Sequence, residues 1–258
     1  MALDLESRGR SPIFTLGPLM HNPQEVERLR GLGIVARERI EDCVGGPTLI
    51  RTHGIGKQEM EQARRLGVDL VDATCPHVKV PRRHIEKFGR QNRTVFLLGD
   101  KGHPEVQAML SYQTGPVVVV SGPLDLPVLD PGTPVGIVAQ TTQSKDVFQQ
   151  LVEAVQSKYS DVVAECTICD DTARRQEKGV LLAGKVDLMI VVGGRNSANT
   201  CRLAAICGAV QPRTSHIECA FELEGVCFDR VSKIGITSGA STPDWIIQEV
   251  DAWLARLE

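Results

Sequence analysis

The sequence predicts an α/β protein assembled from βαβ units with mostly parallel sheets. Short aliphatic runs alternate with stretches of helical spacing, which is the pattern of strands joined by helical crossovers. The runs also end in polar tips: Thr52-His53-Gly54, Asp72-Ala73-Thr74-Cys75-Pro76, Gly102-His103-Pro104-Glu105, Gln140-Thr141-Thr142 and Gly239-Ala240-Ser241. Carboxyl ends of strands are where open α/β sheets place their chemistry. Finally, Val-Gly-Ile-Val-Ala-Gln-Thr-Thr at 135–142 is echoed by Ile-Gly-Ile-Thr-Ser-Gly-Ala-Ser at 234–241, which points to repeated α/β lobes.

Taken in order, residues 11–16 read as a strand entering the turn Gly17-Pro18. Asn22 then reads as a helix N-cap, with Pro23 at the first helical position and Val26, Leu29 and Leu32 at helical spacing. His21 therefore falls just outside a helix N-terminus, where backbone N–H groups and the helix dipole favour an anion. A strand from Pro47 leads to His53 and a helix over 57–66; Val68 to Asp72 forms the next strand, ending at Cys75. Strands follow at 93–99, 117–120 and 134–139, with helices after Glu105 and over 146–157. The last third holds Cys166-Thr-Ile-Cys169, a helix from about Thr172 to Ala183, a strand at 186–192, the loop Gly193 to Asn199, a strand from Ser232 and a helix through Leu257.

Composition narrows the function. With 42% apolar and 4% aromatic residues and 24 glycines in 258, the chain is aliphatic and tightly turned. It has no apolar run of membrane-spanning length, and Met1-Ala-Leu-Asp-Leu-Glu-Ser-Arg-Gly-Arg10 does not read as a signal peptide. A formal charge of −3 and the lack of a basic, aromatic-interleaved stripe argue against nucleic acid. Eight cysteines without a secretion signal fit a reducing, cytoplasmic setting, where thiols serve as ligands, redox groups or small core residues.

Each candidate residue has a plain structural alternative. A loop histidine is usually incidental, but His21, His53 and His103 occupy equivalent strand-to-helix turns, whereas His77, His84 and His216 lack that context and read as structural or surface residues. Glu105, at a helix start, would favour the dipole in any case; held among histidines near an anion, it would have a raised pKa and could donate a proton. Gln140, Thr141, Thr142 and Ser241 fit N-cap chemistry equally well. Asn196-Ser197-Ala198-Asn199 after Gly193-Gly194 reads as a cradle for phosphate oxygens. Cys43, Cys207, Cys219 and Cys227 read as buried small hydrophobes, while Cys75 and Cys169 sit at strand ends or loops. Cys166 with Cys169 forms one C-x-x-C, a redox pair or half a zinc site, with no second C-x-x-C to complete a zinc ribbon.

Together these residues resemble the IspH or LytB family, the 4-hydroxy-3-methylbut-2-enyl diphosphate reductases of the non-mevalonate isoprenoid route. The resemblance runs from about Ile13 onward through Leu16-Gly-Pro-Leu-Met-His21-Asn22-Pro23, Thr52-His53-Gly54, Asp72-Ala-Thr-Cys75-Pro76, Gly102-His103-Pro-Glu105-Val106, Gln140-Thr141-Thr142, Thr167-Ile-Cys169, Arg174-Arg-Gln176-Glu177, Asn196-Ser197-Ala198-Asn199 and Gly239-Ala-Ser241-Thr-Pro243. It implies a trefoil of three α/β lobes around a central cavity, expected at 1–75, 76–165 and 166–258, and a 4Fe-4S cluster with three cysteine ligands and one open iron. Carried over by motif, Cys75 and Cys169 are ligands; His21, His53, His103, Thr141, Ser197, Asn199 and Ser241 hold the substrate; Glu105 supplies the proton with help from Thr141. The position of Ala198 commonly carries serine in the family, so only backbone contacts are expected there. Reductive removal of an allylic hydroxyl needs electrons, a Lewis acid and a proton; a cluster with an open iron meets the first two, and an external donor of the ferredoxin or flavodoxin kind is implied.

The family's first ligand lies in a segment resembling Gly-Phe-Cys-Ala-Gly, which this sequence does not contain; Met1-Ala-Leu-Asp-Leu5 resembles the tail of the helix that follows it. A shortened chain or a misassigned start is expected, with a labile, substoichiometric cluster and little turnover; Cys166 or Cys201 could stand in for the absent ligand, neither with a motif behind it. Two other readings stay open: a diphosphate-binding relative without cluster or catalysis, and a zinc or thiol-redox protein using Cys166 and Cys169.

Overall fold

Eleven strands and nine α-helices follow one another in a computed structural model that describes residues 2–7, 9 and 12–256. In chain order they are α1 (Ala2–Ser7), β1 (Ile13–Leu16), α2 (Pro23–Gly31), β2 (Ile34–Arg37), β3 (Thr48–Ile50), α3 (Lys57–Leu66), β4 (Leu70–Asp72), α4 (Lys79–Arg90), β5 (Thr94–Leu98) and α5 (Pro104–Leu110). Then come β6 (Val117–Val120), β7 (Val135–Ala139), α6 (Lys145–Gln156), β8 (Val162–Ala164), α7 (Asp170–Ala183), β9 (Leu188–Val192), α8 (Ala198–Val210), β10 (Thr214–Ile217), β11 (Ile234–Ser238) and α9 (Asp244–Leu254). Leu257, to which the last helix was expected to run, lies outside the described residues, as do Met1 and Ser11.

The strands form three separate sheets, ordered β2-β1-β3-β4, β6-β5-β7-β8 and β10-β9-β11, and every described pairing is parallel. Parallel strands need crossovers and are buried on both faces, which is why the central ones read as unbroken apolar runs. In the middle sheet, Phe96 and Leu98 of β5 pack with Phe148, Leu151, Val152 and Val155, one stripe of α6. Val95 and Leu97 point to the opposite face and meet Ile85 and Phe88 of α4 and Val106 and Met109 of α5. The third sheet repeats the arrangement: Leu188, Ile190 and Val192 pack with Ile246 and Val250 of α9, and Met189 and Val191 with Leu203 and Cys207 of α8.

Chain contacts divide the protein into two compact units. One holds Leu29–Cys169 and the N-terminal stretch up to Leu19, with the first two sheets; the other holds Met20–Arg28 and the chain from Asp170 onward, with the third. Within the second unit the short segment is fastened by side chains: Trp245 Nε1 donates to Glu25 Oε2 at 2.9 Å, and Arg28 forks onto both Glu25 oxygens at 2.8 Å. The Arg28 guanidinium is the main cause of the low pKa of the buried Glu25 carboxyl, with the Trp245 hydrogen bond adding to it.

Among the described residues, no helix is long and apolar enough to cross a membrane.

Candidate functional site

In each sheet there is one place where neighbouring strands send their connections in opposite directions, leaving a crevice at their carboxyl ends: between β1 and β3, between β5 and β7, and between β9 and β11. The chain leaving these six strands carries, respectively, His21, His53, Glu105 with His103, Thr141, Ser197 with Asn199, and Ser241. Topology therefore selects His53, His103, Glu105, Thr141 and Ser241 from the polar tips and adds His21, Ser197 and Asn199.

At the β5/β7 crevice, Glu105 occupies the first turn of α5 and is 1% exposed. The Thr141 backbone N–H donates to its Oε1 at 2.8 Å and the Thr141 hydroxyl to its Oε2 at 2.9 Å, so one residue of the β7 loop clamps both oxygens. Burial pushes the carboxyl up to about 7 against the pull of the two Thr141 donors, and Asp100 adds a further push. His103 caps α5, its Nδ1 accepting the Glu105 N–H at 3.1 Å. A neutral His103 ring consequently carries its proton on Nε2. The His53 and His103 rings stand edge to face with centroids 5.5 Å apart. The turn bearing His53 depends on Gly54 at φ +77°, left-handed backbone that a β-carbon disfavours.

Both candidate ligand cysteines are half-buried and tied to these crevice loops. Cys75, following β4, donates its N–H to Thr52 O at 3.0 Å, next to His53; Cys169, following β8, donates its N–H to Thr141 O at 2.9 Å, next to the Glu105 clamp. Half-buried thiols held by their backbones at strand exits fit thiolate donation to soft metals. Cys43 and Cys207 differ: they are fully buried, and burial pushes both thiols up.

In the second unit, Ser197 is the N-cap of α8 and accepts the Thr200 N–H at 3.3 Å, while the Ser241 hydroxyl donates to Ser197 Oγ at 3.4 Å. Gly193 is held at φ +144°, where a β-carbon would collide with the Thr242 hydroxyl, itself donating to Val192 O at 2.9 Å. Asn199 is 6% exposed and Thr200 0%. Yet the Asn199 amide nitrogen and the Thr200 hydroxyl meet no hydrogen-bond partner among the described residues. A buried donor left so costs about 1–3 kcal/mol. The α8 N-terminus beside it adds free backbone N–H groups, the chemistry that favours an anion.

The structure decides several open alternatives. Thr141 does not cap α6; Ser144 takes the N-cap position. Ser241 does not cap α9, whose N-cap is Pro243. Asn22 does cap α2, its Oδ1 accepting the Glu25 N–H at 2.8 Å. Two cysteines expected in the core are not there: Cys219 is half-buried and Cys227 exposed, in the irregular chain between β10 and β11 where too little packs over them. Of the stand-in ligands, Cys166 is exposed, and Cys201 is exposed with its thiol donating to Arg195 O at 3.0 Å.

Other residues brace these loops, and of them only Gln140 lies within a motif, Gln140-Thr141-Thr142. His216 Nε2 lies 2.8 Å from Gly193 O, so the ring braces the anion loop from β10. Arg195 joins that brace through Glu222 and the His216 carbonyl. Gln140 Oε1 accepts the Asp100 N–H at 2.9 Å, tying the β5 and β7 loops together. A lone histidine or glutamine in a short polar stretch gives no signal of such a task.

A family model described as LytB protein matches residues 1–255. The 4-hydroxy-3-methylbut-2-enyl diphosphate reductase of Geobacter sulfurreducens is 46% identical over 237 residues, covering 92% of this chain and 84% of that protein. The solved structure of an (E)-4-hydroxy-3-methyl-but-2-enyl diphosphate reductase, described as the terminal enzyme of the non-mevalonate pathway, matches with a TM-score of 0.69 at 38% identity, covering 99% of this chain and 93% of that one. The E-1-hydroxy-2-methyl-but-2-enyl-4-diphosphate reductase of Plasmodium falciparum matches with a TM-score of 0.90 at 25% identity, covering 99% and 81%.

Proposed function

The chain belongs to the LytB family, and we propose that it catalyses the reductive dehydroxylation of 4-hydroxy-3-methylbut-2-enyl diphosphate to isopentenyl and dimethylallyl diphosphate. The observation that carries the reading is Glu105, a buried carboxyl near neutrality with both oxygens clamped by Thr141. Loss of the allylic hydroxyl as water requires a proton at that oxygen, and an acid poised near the working pH is the efficient donor. In its protonated form Glu105 turns the bond around and donates Oε2–H to the Thr141 hydroxyl, whose own proton is then directed onward. Thr141 thus both relays and orients.

Diphosphate binding is assigned to Ser197, Asn199 and Ser241 with His21, His53 and His103. The unpartnered Asn199 amide and the α8 N-terminus support the first group; a protonated or Nε2–H imidazole supports the second. Binding energy from the diphosphate would position the reacting carbon. Cys75 and Cys169 are proposed as thiolate ligands of a 4Fe-4S cluster, which when bound supplies single electrons and Lewis acidity for the leaving oxygen. The electrons would come from an external donor of the ferredoxin or flavodoxin kind. We also propose lobes bounded at 75 and 165, each containing one sheet.

The test is anaerobic reconstitution of the chain followed by iron and sulfide counting and assay with a chemical reductant. A substoichiometric cluster with low turnover to the two five-carbon diphosphates is expected, its iron lost in Cys169→Ser but retained in Cys166→Ser. Diphosphate binding without iron or turnover would leave a non-catalytic binding protein; iron retained by Cys169→Ser would remove the ligand assignment.

A further inference from the structure

Glu105 is buried, yet an acid that gives up a proton in each turnover must regain one. Directly beside it lies a cavity of about 40 Å³, lined by Glu105 and His53 and continuing past both toward residues with no assigned role. Glu105, Ala108 and Tyr112 fall on one face of the helical turns of α5 and its exit, at i, i+3 and i+7, and form one wall. Asp72, Lys79 and Arg82 also line it, and they connect it to solvent, their side chains being 48%, 35% and 41% exposed. Lys79 Nζ pairs with Asp72 Oδ2 at 2.6 Å, and the Arg82 guanidinium lies 3.7 Å from the centroid of the Tyr112 ring. A water needs roughly 10–15 Å³ of such volume and several polar neighbours, so there is room for about three in file. His53, Thr74 and the Asp72–Lys79 pair supply the neighbours.

We propose that this cavity is a water-filled inlet through which the Glu105 carboxyl exchanges its proton with bulk solvent. The proposal rests on the reading of Glu105 as the proton donor. The balance is simple: one proton leaves the carboxyl toward Thr141, and one returns along the water file to the carboxylate, with no bond to carbon and no electron involved. Ala108 is the position for a test, because it lines the cavity and a larger side chain there would take up its volume. Tyr112, held by Arg82, lines the same cavity.

The experiment follows exchange of the Glu105 carboxyl proton in the full chain, kept anaerobic, by infrared spectroscopy after rapid mixing into D2O at about pH 6, where ordinary carboxylates are ionised. The C=O band of the protonated acid is identified by its loss in Glu105→Gln. Wild type and Ala108→Ser are expected to exchange within the mixing time. With the file blocked in Ala108→Leu, exchange proceeds only through local opening of α5 and slows by about tenfold or more, less in Ala108→Val. Thermal unfolding checks that each variant is folded, and the Val and Ser variants decide the matter if Leu disrupts the helix. Wild-type exchange in the filled variants would overturn the inlet. Full turnover by Glu105→Gln would instead overturn the donor assignment and leave the exchange result standing, so the two failures are distinct.

Discussion

Glu105 in the first turn of the helix after β5 and Asn199 in the first turn of the helix after β9 occupy equivalent points beside two different sheets, and both are nearly inaccessible. They differ in what meets them. Both Glu105 oxygens are engaged by Thr141, whereas the Asn199 amide nitrogen finds no acceptor among the described residues. A satisfied buried acid is suited to keeping a proton, because its charged form is penalised by burial and its geometry is fixed. A buried donor without an acceptor is suited to a ligand, because an arriving anion removes a standing penalty. On the proposed reading, the same topological device serves proton handling in one unit and anion binding in the other.

Breaking the first half of the comparison should have the largest effect. Glu105→Gln keeps the shape and removes the proton: kcat is expected to fall by about 10²–10⁴-fold with KM little changed. Thr141→Val, which removes the hydroxyl but keeps the backbone donor, should fall in the same parameter by less. Steady-state kinetics with a chemical reductant separates these from binding losses. A KM effect without a kcat effect would move Glu105 into the binding set.

Breaking the second half should be smaller and of opposite kind. Asn199→Leu removes one hydrogen bond to a charged ligand, about 1.5–3 kcal/mol, so affinity for a diphosphate should drop roughly tenfold to a hundredfold. Calorimetry with inorganic diphosphate measures this without turnover. Equal affinity in the variant would show that the unpartnered amide does not face the ligand.

Much of this was legible beforehand. The interior strands β5, β7 and β9 are almost wholly apolar five-residue strands buried on both faces, and their tips carry half of the candidate residues. The strands with no clear sequence mark are β2, β8 and β10, and each is the edge of its sheet. An edge strand is half open to water, so Ile34-Val35-Ala36-Arg37 and Thr214-Ser215-His216-Ile217 mix polar with apolar residues, and β8 has only three residues. Helix α8 is rich in Ala, Cys and Gly without a strong polar face, so it does not announce itself by periodicity, whereas α4 buries Pro81, Ile85 and Phe88 at helical spacing but carries a proline and adjacent basic residues in its first turns that blur its start. At the site, Glu105 and Thr141 stand 36 residues apart, and only the adjacency of β5 and β7 brings them into contact. The bracing role of His216 depends equally on β10 lying beside β9.

The central claim, that Glu105 holds a proton near neutrality because it is buried, is tested most directly by the pH dependence of unfolding in wild type and Glu105→Gln. Folding raises this pKa from 4.5 to about 7, so the native state binds the proton more tightly than the unfolded chain. The resulting stability is fully present below about pH 4.5 and is lost as pH rises through about 7, an effect on the order of 3 kcal/mol. Glutamine cannot titrate. The account predicts that the stability of wild type relative to Glu105→Gln declines by roughly that amount across this window. Parallel curves for the two proteins would contradict it.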